Sequence, residues 1–337
     1  MKRKIIKSSW RGRHAVVTGA CGFIGSHLTE ELLRLGADVT ALAFYDARGS
    51  VGWLNDIDPA LRKKVRIISG DIRDSEQMLS LVTKNSVVFH LAALIGIPYS
   101  YVAPRSYVET NVTGTLNILE ASRRNKAQKI LVISTSETYG SAIRVPINEQ
   151  HPLQAQSPYA ASKIAAEKLA ESYYRSFDLP VTVIRPFNTY GPRQSARAVI
   201  PTILTQVLNG KKEIVLGTAS TTRDFNFVKD TVTGMIKLAE CSEAIGKTVN
   251  IGTGSEISIK ETAERIARIT GKKITIRSDR MRVRPGASEV LRLCADNSLL
   301  KSLTGWAPKP RIEEGLRITA KWFKSRAGDY DTERYYV

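Results

Sequence analysis

Apolar residues in the first half of the chain come in short β-branched runs separated by amphipathic stretches. His14-Ala-Val-Val-Thr18 reads as a strand, and after a glycine-rich turn Ile24, Leu28, Leu32 and Leu35 share one face of a helix. The same reading gives strands at Asp38–Ala43, Val65–Ser69, Ser86–Leu91, Lys129–Ser134 and Pro180–Arg185, with helical patterns between most of them. Strands apolar on both faces and alternating with helices predict an α/β fold, a Rossmann-like doubly wound parallel sheet. Right-handed crossovers would collect the strand C-termini along one edge, where ligands bind.

After Pro186 the pattern loosens. Asn188–Ala198 reads as a loop, followed by short strands (Glu213–Leu216, Thr248–Ile251, Lys273–Ile276) and helices (Asp230–Cys241, Ser258–Thr270, Ile312–Lys324). The expected division is a Rossmann-like domain over 1–187 and a smaller mixed α/β domain over 188–337, with part of 219–255 returning to the first sheet. The tail after Arg326 reads as peripheral.

Composition narrows the classes. The 337 residues contain no apolar run of about eighteen, so no membrane-spanning helix is expected. The N-terminus is basic without an apolar segment behind it, which argues against secretion. Cys21, Cys241 and Cys294 are far apart, so neither a disulfide nor a metal site is predicted, and a reducing cytoplasm fits. The net charge of +18 raises the question of nucleic acid or an anionic membrane. Apart from a cluster at Lys2, Arg3, Lys4, Lys7, Arg11 and Arg13 the cations are spread along the chain, and no nucleic-acid-binding motif is present. A solvated basic surface that also favours an anionic small substrate is the better reading, without specific nucleic acid or membrane insertion.

Three motifs carry candidate chemistry. Gly19-Ala-Cys-Gly22-Phe-Ile-Gly25 follows a strand and opens a helix, where glycines permit a tight turn and close approach of backbone to a pyrophosphate. This marks 1–187 as a dinucleotide-binding domain and 188–337 as mainly substrate-binding. The place at the end of the second strand, where a carboxylate would read the ribose, holds Ala43. Asp46 just beyond could substitute and favour NAD, whereas Arg48 could meet the 2′-phosphate of NADP. Asp71 either bonds the adenine or caps a helix. In the second motif, Ser157-Pro158 starts a helix on which Tyr159 and Lys163 share a face. A nearby ammonium and a nicotinamide cation favour tyrosinate, making Tyr159 a candidate base toward a hydroxyl. The third motif, Ser134-Thr135-Ser136-Glu137, ends the fifth strand: Thr135 can bond a hydroxyl undergoing oxidation and Glu137 can exchange a proton with carbon.

Together these motifs resemble the extended short-chain dehydrogenases/reductases, from His14 to about Phe323, including Leu91-Ala-Ala93, Asn111-Val-Thr-Gly-Thr115 and Arg185-Pro-Phe-Asn-Thr-Tyr-Gly-Pro192. The resemblance implies that Phe23, Ile24, Ile72, Leu91, Ala92, Ala93, Asn111, Ser134 and Pro186 join the glycines, Tyr159 and Lys163 around NAD. It also implies a homodimer. Thr135-Ser136-Glu137 looks like the form found in GDP-mannose dehydratases and shared by UDP-glucuronate decarboxylases, whereas UDP-galactose-type epimerases carry a small residue at the Glu137 position. Leu94-Ile-Gly-Ile-Pro-Tyr-Ser100, Arg193–Pro201 and Thr222–Val228 look like nucleotide-sugar 4,6-dehydratases of the legionaminic acid pathway, which act on nucleotide-linked N-acetylglucosamine. By that likeness Ile95, Pro98, Asn188, Arg193, Val199, Arg223, Arg284 and Glu289 face the substrate. Ser136 stands where glucose dehydratases have aspartic acid, so Ser136, Glu137 or water would protonate the departing hydroxyl. Epimerisation at carbon 4, decarboxylation of a uronate, a non-catalytic dinucleotide sensor and an RNA-associated scaffold are the other readings.

Overall fold

The structure is a computed structural model that describes residues 10–283, 285–309 and 311–330. Six strands arise in chain order: β1 His14–Thr18, β2 Asp38–Phe44, β3 Arg66–Gly70, β4 Val87–His90, β5 Lys129–Ile133 and β6 Val181–Pro186. Shorter strands follow: β7 Asn188–Tyr190, β8 Glu213–Leu216, β9 Thr222–Arg223, β10 Phe225–Phe227, β11 Thr248–Ile251, β12 Ile257–Ser258, β13 Thr275–Ser278 and β14 Arg292–Leu293. The main sheet has seven parallel strands in the order β11-β6-β5-β4-β1-β2-β3. Every residue of β4, β5 and β6 is buried, which explains their unbroken apolar runs.

Helices cover both faces. Phe23–Arg34 and Val228–Glu240 pack on one side, while Gly114–Arg124 and Pro158–Phe177 pack on the other. The chain order reverses between β1 and β4, and a doubly wound sheet opens its ligand crevice at such a reversal. Over this edge lie the helices Val199–Leu208, Ile259–Thr270 and Ile312–Lys324, with three small sheets: β10-β7, β12-β9-β14 and β13-β8.

Two expected spans move. The expected strand Lys273–Ile276 is displaced to β13, whose pairing with β8 begins at Thr275 and runs to Ser278. Asn188–Ala198 is not wholly a loop, since β7 at its start pairs with β10.

Candidate functional site

The glycine-rich turn sits at the reversal. Gly19 has φ +69°, and a Cβ there would stand 2.7 Å from the Ala92 backbone nitrogen, so the turn after β1 is pressed against the segment after β4. A Cβ on Gly25 would meet the Gly19 carbonyl oxygen at 2.2 Å. The helix beginning at Phe23 has Gly22 at its cap and no side-chain cap hydrogen bond, leaving its first N–H groups available to an anion. Phe23 and Ile24 are half-buried beside the turn.

Beneath the crevice runs a chain of buried polar groups. Thr18 Oγ1 accepts from Ala92 N–H (3.2 Å) and bonds His90 Nδ1 (2.8 Å), while His90 Nε2 bonds Thr115 Oγ1 (3.0 Å). Thr115 donates to the Asn111 carbonyl (2.6 Å), and Asn111 Nδ2 donates to Ser162 Oγ (2.9 Å). Ser162 in turn donates to the Tyr159 carbonyl (2.7 Å). Asn111 also brackets Leu94, accepting from its N–H at 2.8 Å and donating to its carbonyl at 3.0 Å. Asn111 lies in a π-helical stretch, Val108–Thr113, a local irregularity frequent at functional sites. Burial holds His90 neutral, with its pKa pushed down to about 3.

Tyr159 and Lys163 stand on the helix Pro158–Phe177, which Ser157 caps by accepting the Ala160 N–H at 3.1 Å. Tyr159 is buried, its ring edge-on to Tyr107 at 6.2 Å between centroids. Burial pushes its hydroxyl above the ordinary range; a hydrogen bond with Thr135 pulls it back, and the Glu137 carboxylate adds to the rise. The buried Lys163 ammonium, one helical turn on, donates to the Ile133 carbonyl (2.6 Å) and is pushed down to about 8 by desolvation.

Thr135 caps the turn Ser136–Tyr139, its Oγ1 accepting the Glu137 N–H at 3.2 Å. Thr135 and Ser136 are buried and Glu137 is half-buried. Behind the turn, Arg185 and Glu167 form a buried two-pronged ion pair (2.9 and 2.5 Å). Arg185 also donates to the Tyr139 hydroxyl (2.9 Å), which donates to Asn250 (2.7 Å). Sequence reading missed this brace, as it missed Thr18, His90, Tyr107 and Ser162.

At the other end of the crevice, β2 runs on to Phe44, so Asp46 lies beyond it in an open loop, paired with Arg48 at 3.3 Å. That pairing holds the Asp46 carboxyl below its usual value. Asp71 is bound by Arg73 (2.5 Å), and it is Asp74 that caps the following helix. Buried Ile72 packs on Gly114, where a Cβ would stand 2.4 Å from its methyl carbon. Leu91, Ala92 and Ala93 are half-buried beside the turn, and Pro186 is buried at the end of β6.

The expected substrate residues divide. Arg193 is turned away: with φ +67° it buries its guanidinium against Glu30 (2.9 Å), Ser26 (3.4 Å) and the Asp56 carbonyl (3.0 Å), bracing the cofactor-side helix. Arg223 and Glu289 are brought together at 3.7 Å, and Glu289 also accepts from Thr218 (3.2 Å). Ile95 is exposed, Pro98 and Val199 are half-buried, and Arg284 lies outside the described residues, as does most of the basic N-terminal cluster. Asn188 Oδ1 and Ser134 Oγ are buried without a hydrogen-bond partner, the kind of orphan that a bound molecule satisfies. The open helix start, the glycine turn and orphaned Ser134 at the end of β5 fit a dinucleotide. Among the described residues no group of acidic, histidine or cysteine side chains could hold a metal, and no helix is long and apolar enough to cross a membrane.

Residues 16–319 match the family described as GDP-mannose 4,6 dehydratase. A UDP-N-acetyl-alpha-D-glucosaminuronate decarboxylase of Bacillus cytotoxicus is 33% identical over 94% of this chain and 99% of its own. The solved UDP-N-acetylglucosamine 4-epimerase of Methanobrevibacter ruminantium M1 is 31% identical, with a TM-score of 0.85 over 94% of this chain and 99% of that one. DesIV, the dTDP-glucose 4,6-dehydratase of Streptomyces venezuelae solved with NAD bound, is 27% identical, with a TM-score of 0.83 over 95% and 100%. Lyase, epimerase and decarboxylase thus share one scaffold, and the chain belongs to the extended short-chain dehydrogenases/reductases of the GDP-mannose 4,6-dehydratase type.

Proposed function

We propose that the protein is a nucleotide-sugar 4,6-dehydratase with NAD as its cofactor, acting on a UDP- or GDP-linked N-acetylglucosamine. The observation that carries this reading is the nearness of Glu137 to Tyr159: Thr135 accepts the Glu137 N–H, and both Thr135 and the Glu137 carboxylate act electrostatically on the Tyr159 hydroxyl. NAD, held at the glycine turn, would supply a reversible hydride acceptor for the sugar. Tyr159 takes the carbon-4 hydroxyl proton while Thr135 holds that oxygen. Lys163, protonated below about pH 8, keeps positive charge one helical turn away. Once carbon 4 is a ketone the carbon-5 proton is acidic, and Glu137 removes it. The carbon-6 hydroxyl leaves as water, with Glu137 or buried Ser136 supplying the proton. Hydride added at carbon 6 and a proton added at carbon 5 complete a 4-keto-6-deoxy product, one water lighter than the substrate.

A 4-epimerase needs only the first oxidation and its reversal, which leaves Glu137 without a task. Decarboxylation begins with the same oxidation but consumes a uronate. Substrate deuterated at carbon 4 separates the three: the dehydratase delivers label to carbon 6, with loss of water and solvent hydrogen at carbon 5. Label returned to carbon 4 without mass loss, or carbon dioxide released from a uronate, would refute the assignment. Glu137→Gln should spare cofactor reduction and cut product formation by about 10²–10⁴.

A further inference from the structure

Arginine suits phosphate because its planar fork donates in pairs and stays charged. Arg193 is committed to Glu30, and Arg223 stands against Glu289. Arg197 differs. Among the described residues its hydrogen bonds go to Ser195 Oγ, from its backbone N–H at 3.4 Å and from Nε at 3.3 Å, and it is in no ion pair.

Its guanidinium lies beside the catalytic wall. A Cβ placed on Gly96 would stand 2.9 Å from Arg197 Nη1 and 3.5 Å from Tyr107 Oη, so the absent side chain at Gly96 makes room for the cation. Tyr107 donates to the Gly96 carbonyl and presents its ring to Tyr159; burial raises its hydroxyl above the ordinary value, and the nearby Arg197 charge offsets part of that rise. We propose that Arg197, admitted by Gly96, is a substrate-binding residue that holds the sugar-proximal phosphate of the nucleotide sugar and so sets the depth at which the sugar meets Tyr159. This rests on the nucleotide-sugar reading above. The chemistry follows from what is present: an exposed guanidinium without a carboxylate, at the mouth of a site whose substrate carries its negative charge in the diphosphate.

The test uses the full chain loaded with NAD, titrated calorimetrically with UDP, GDP, dTDP and the corresponding monophosphates. Arg197→Ala should weaken the best diphosphate about 10- to 100-fold, leave its monophosphate within about twofold, and leave NAD affinity unchanged. KM for the nucleotide sugar should rise by the same factor, kcat should fall less, and Arg197→Lys should restore part of the affinity. Gly96 does not have a positive φ, so Gly96→Ala is tolerated by the backbone and should mimic Arg197→Ala by displacing the guanidinium. In an Arg197→Ala background Gly96→Ala should add nothing. Equal loss with mono- and diphosphate, no loss at all, or loss only with a uronate nucleotide would overturn the assignment. If no nucleoside diphosphate binds the unsubstituted protein, the nucleotide-sugar reading falls with it.

Discussion

The two ends of the crevice are built by different means. At the catalytic end, Thr18, His90, Thr115, Asn111 and Ser162 form a buried polar chain in which each group bonds the next, and Tyr159 sits at its end. At the ribose end, Asp46 and Arg48 are two residues apart, pair only locally and face solvent. Buried hydrogen bonds fix a position because an unmade one is costly, whereas an exposed ion pair contributes little and is readily rearranged. The surroundings of Tyr159 are therefore fixed by burial, whereas Asp46 and Arg48, the expected readers of the cofactor ribose, can change without disturbing the fold.

The sharpest way to break this contrast is at Tyr159. Tyr159→Phe should lower kcat by about 10²–10⁴ while changing the melting temperature little, since the ring and its Tyr107 contact remain; turnover kept within tenfold would remove Tyr159 from the chemistry. Next comes Asn111→Ala, which leaves the Leu94 N–H and Ser162 without their partner. It should cost about 1–3 kcal/mol of stability in denaturant unfolding and lower kcat as well. A stable and fully active variant would mean that the floor is not what positions Tyr159.

A pH titration probes the same floor more gently. Burial depresses His90 in the floor to about 3, and burial with the nearby Arg193 charge depresses His27 on the helix Phe23–Arg34 to about 4, so below the ordinary histidine value of 6.5 the unfolded chain binds protons that the folded chain refuses. The histidine contribution to stability should be level above 6.5 and fall as pH drops from 6.5 toward 3. His90→Gln should flatten part of that fall; an unchanged slope between pH 7 and 5 would show that His90 accepts a proton in place. The smallest effect is expected at the ribose end. Asp46→Ala should leave the melting temperature unchanged and shift the NAD/NADP affinity ratio by less than about tenfold, as equilibrium binding of both cofactors will show.

What sequence reading reaches divides along the same line. The strand–turn–helix at Gly19–Gly25, the capped helix carrying Tyr159 and Lys163, and the turn at Thr135–Glu137 are local, each written in consecutive residues with a fixed period or spacing. The polar floor is not local. Thr18 and His90 are 72 residues apart, and in the sequence each is only a polar end to an apolar strand. Arg193 misled for the same reason: its partner Glu30 lies 163 residues away on a helix whose apolar face gives no hint of a buried carboxylate. Asp46 lies just beyond β2, as expected, although the strand runs one residue further than expected, to Phe44.

Strand β11 has a consequence for how the chain can be divided. It hydrogen-bonds to β6 from Thr248 to Ile251, more than sixty residues after the chain has left the sheet, and it closes the edge of a strand that is buried along its whole length. A fragment ending near residue 187 would keep the glycine turn, Glu137 and Tyr159, yet its last strand would have a bare, apolar rim of unpaired amides. Such rims recruit other strands, so the fragment should self-associate and precipitate when expressed. During synthesis the full chain passes through this same state, with its reactive residues already made and its sheet still open. Pairing of β11 with β6, not completion of the motifs, is expected to end that exposure in the nascent chain.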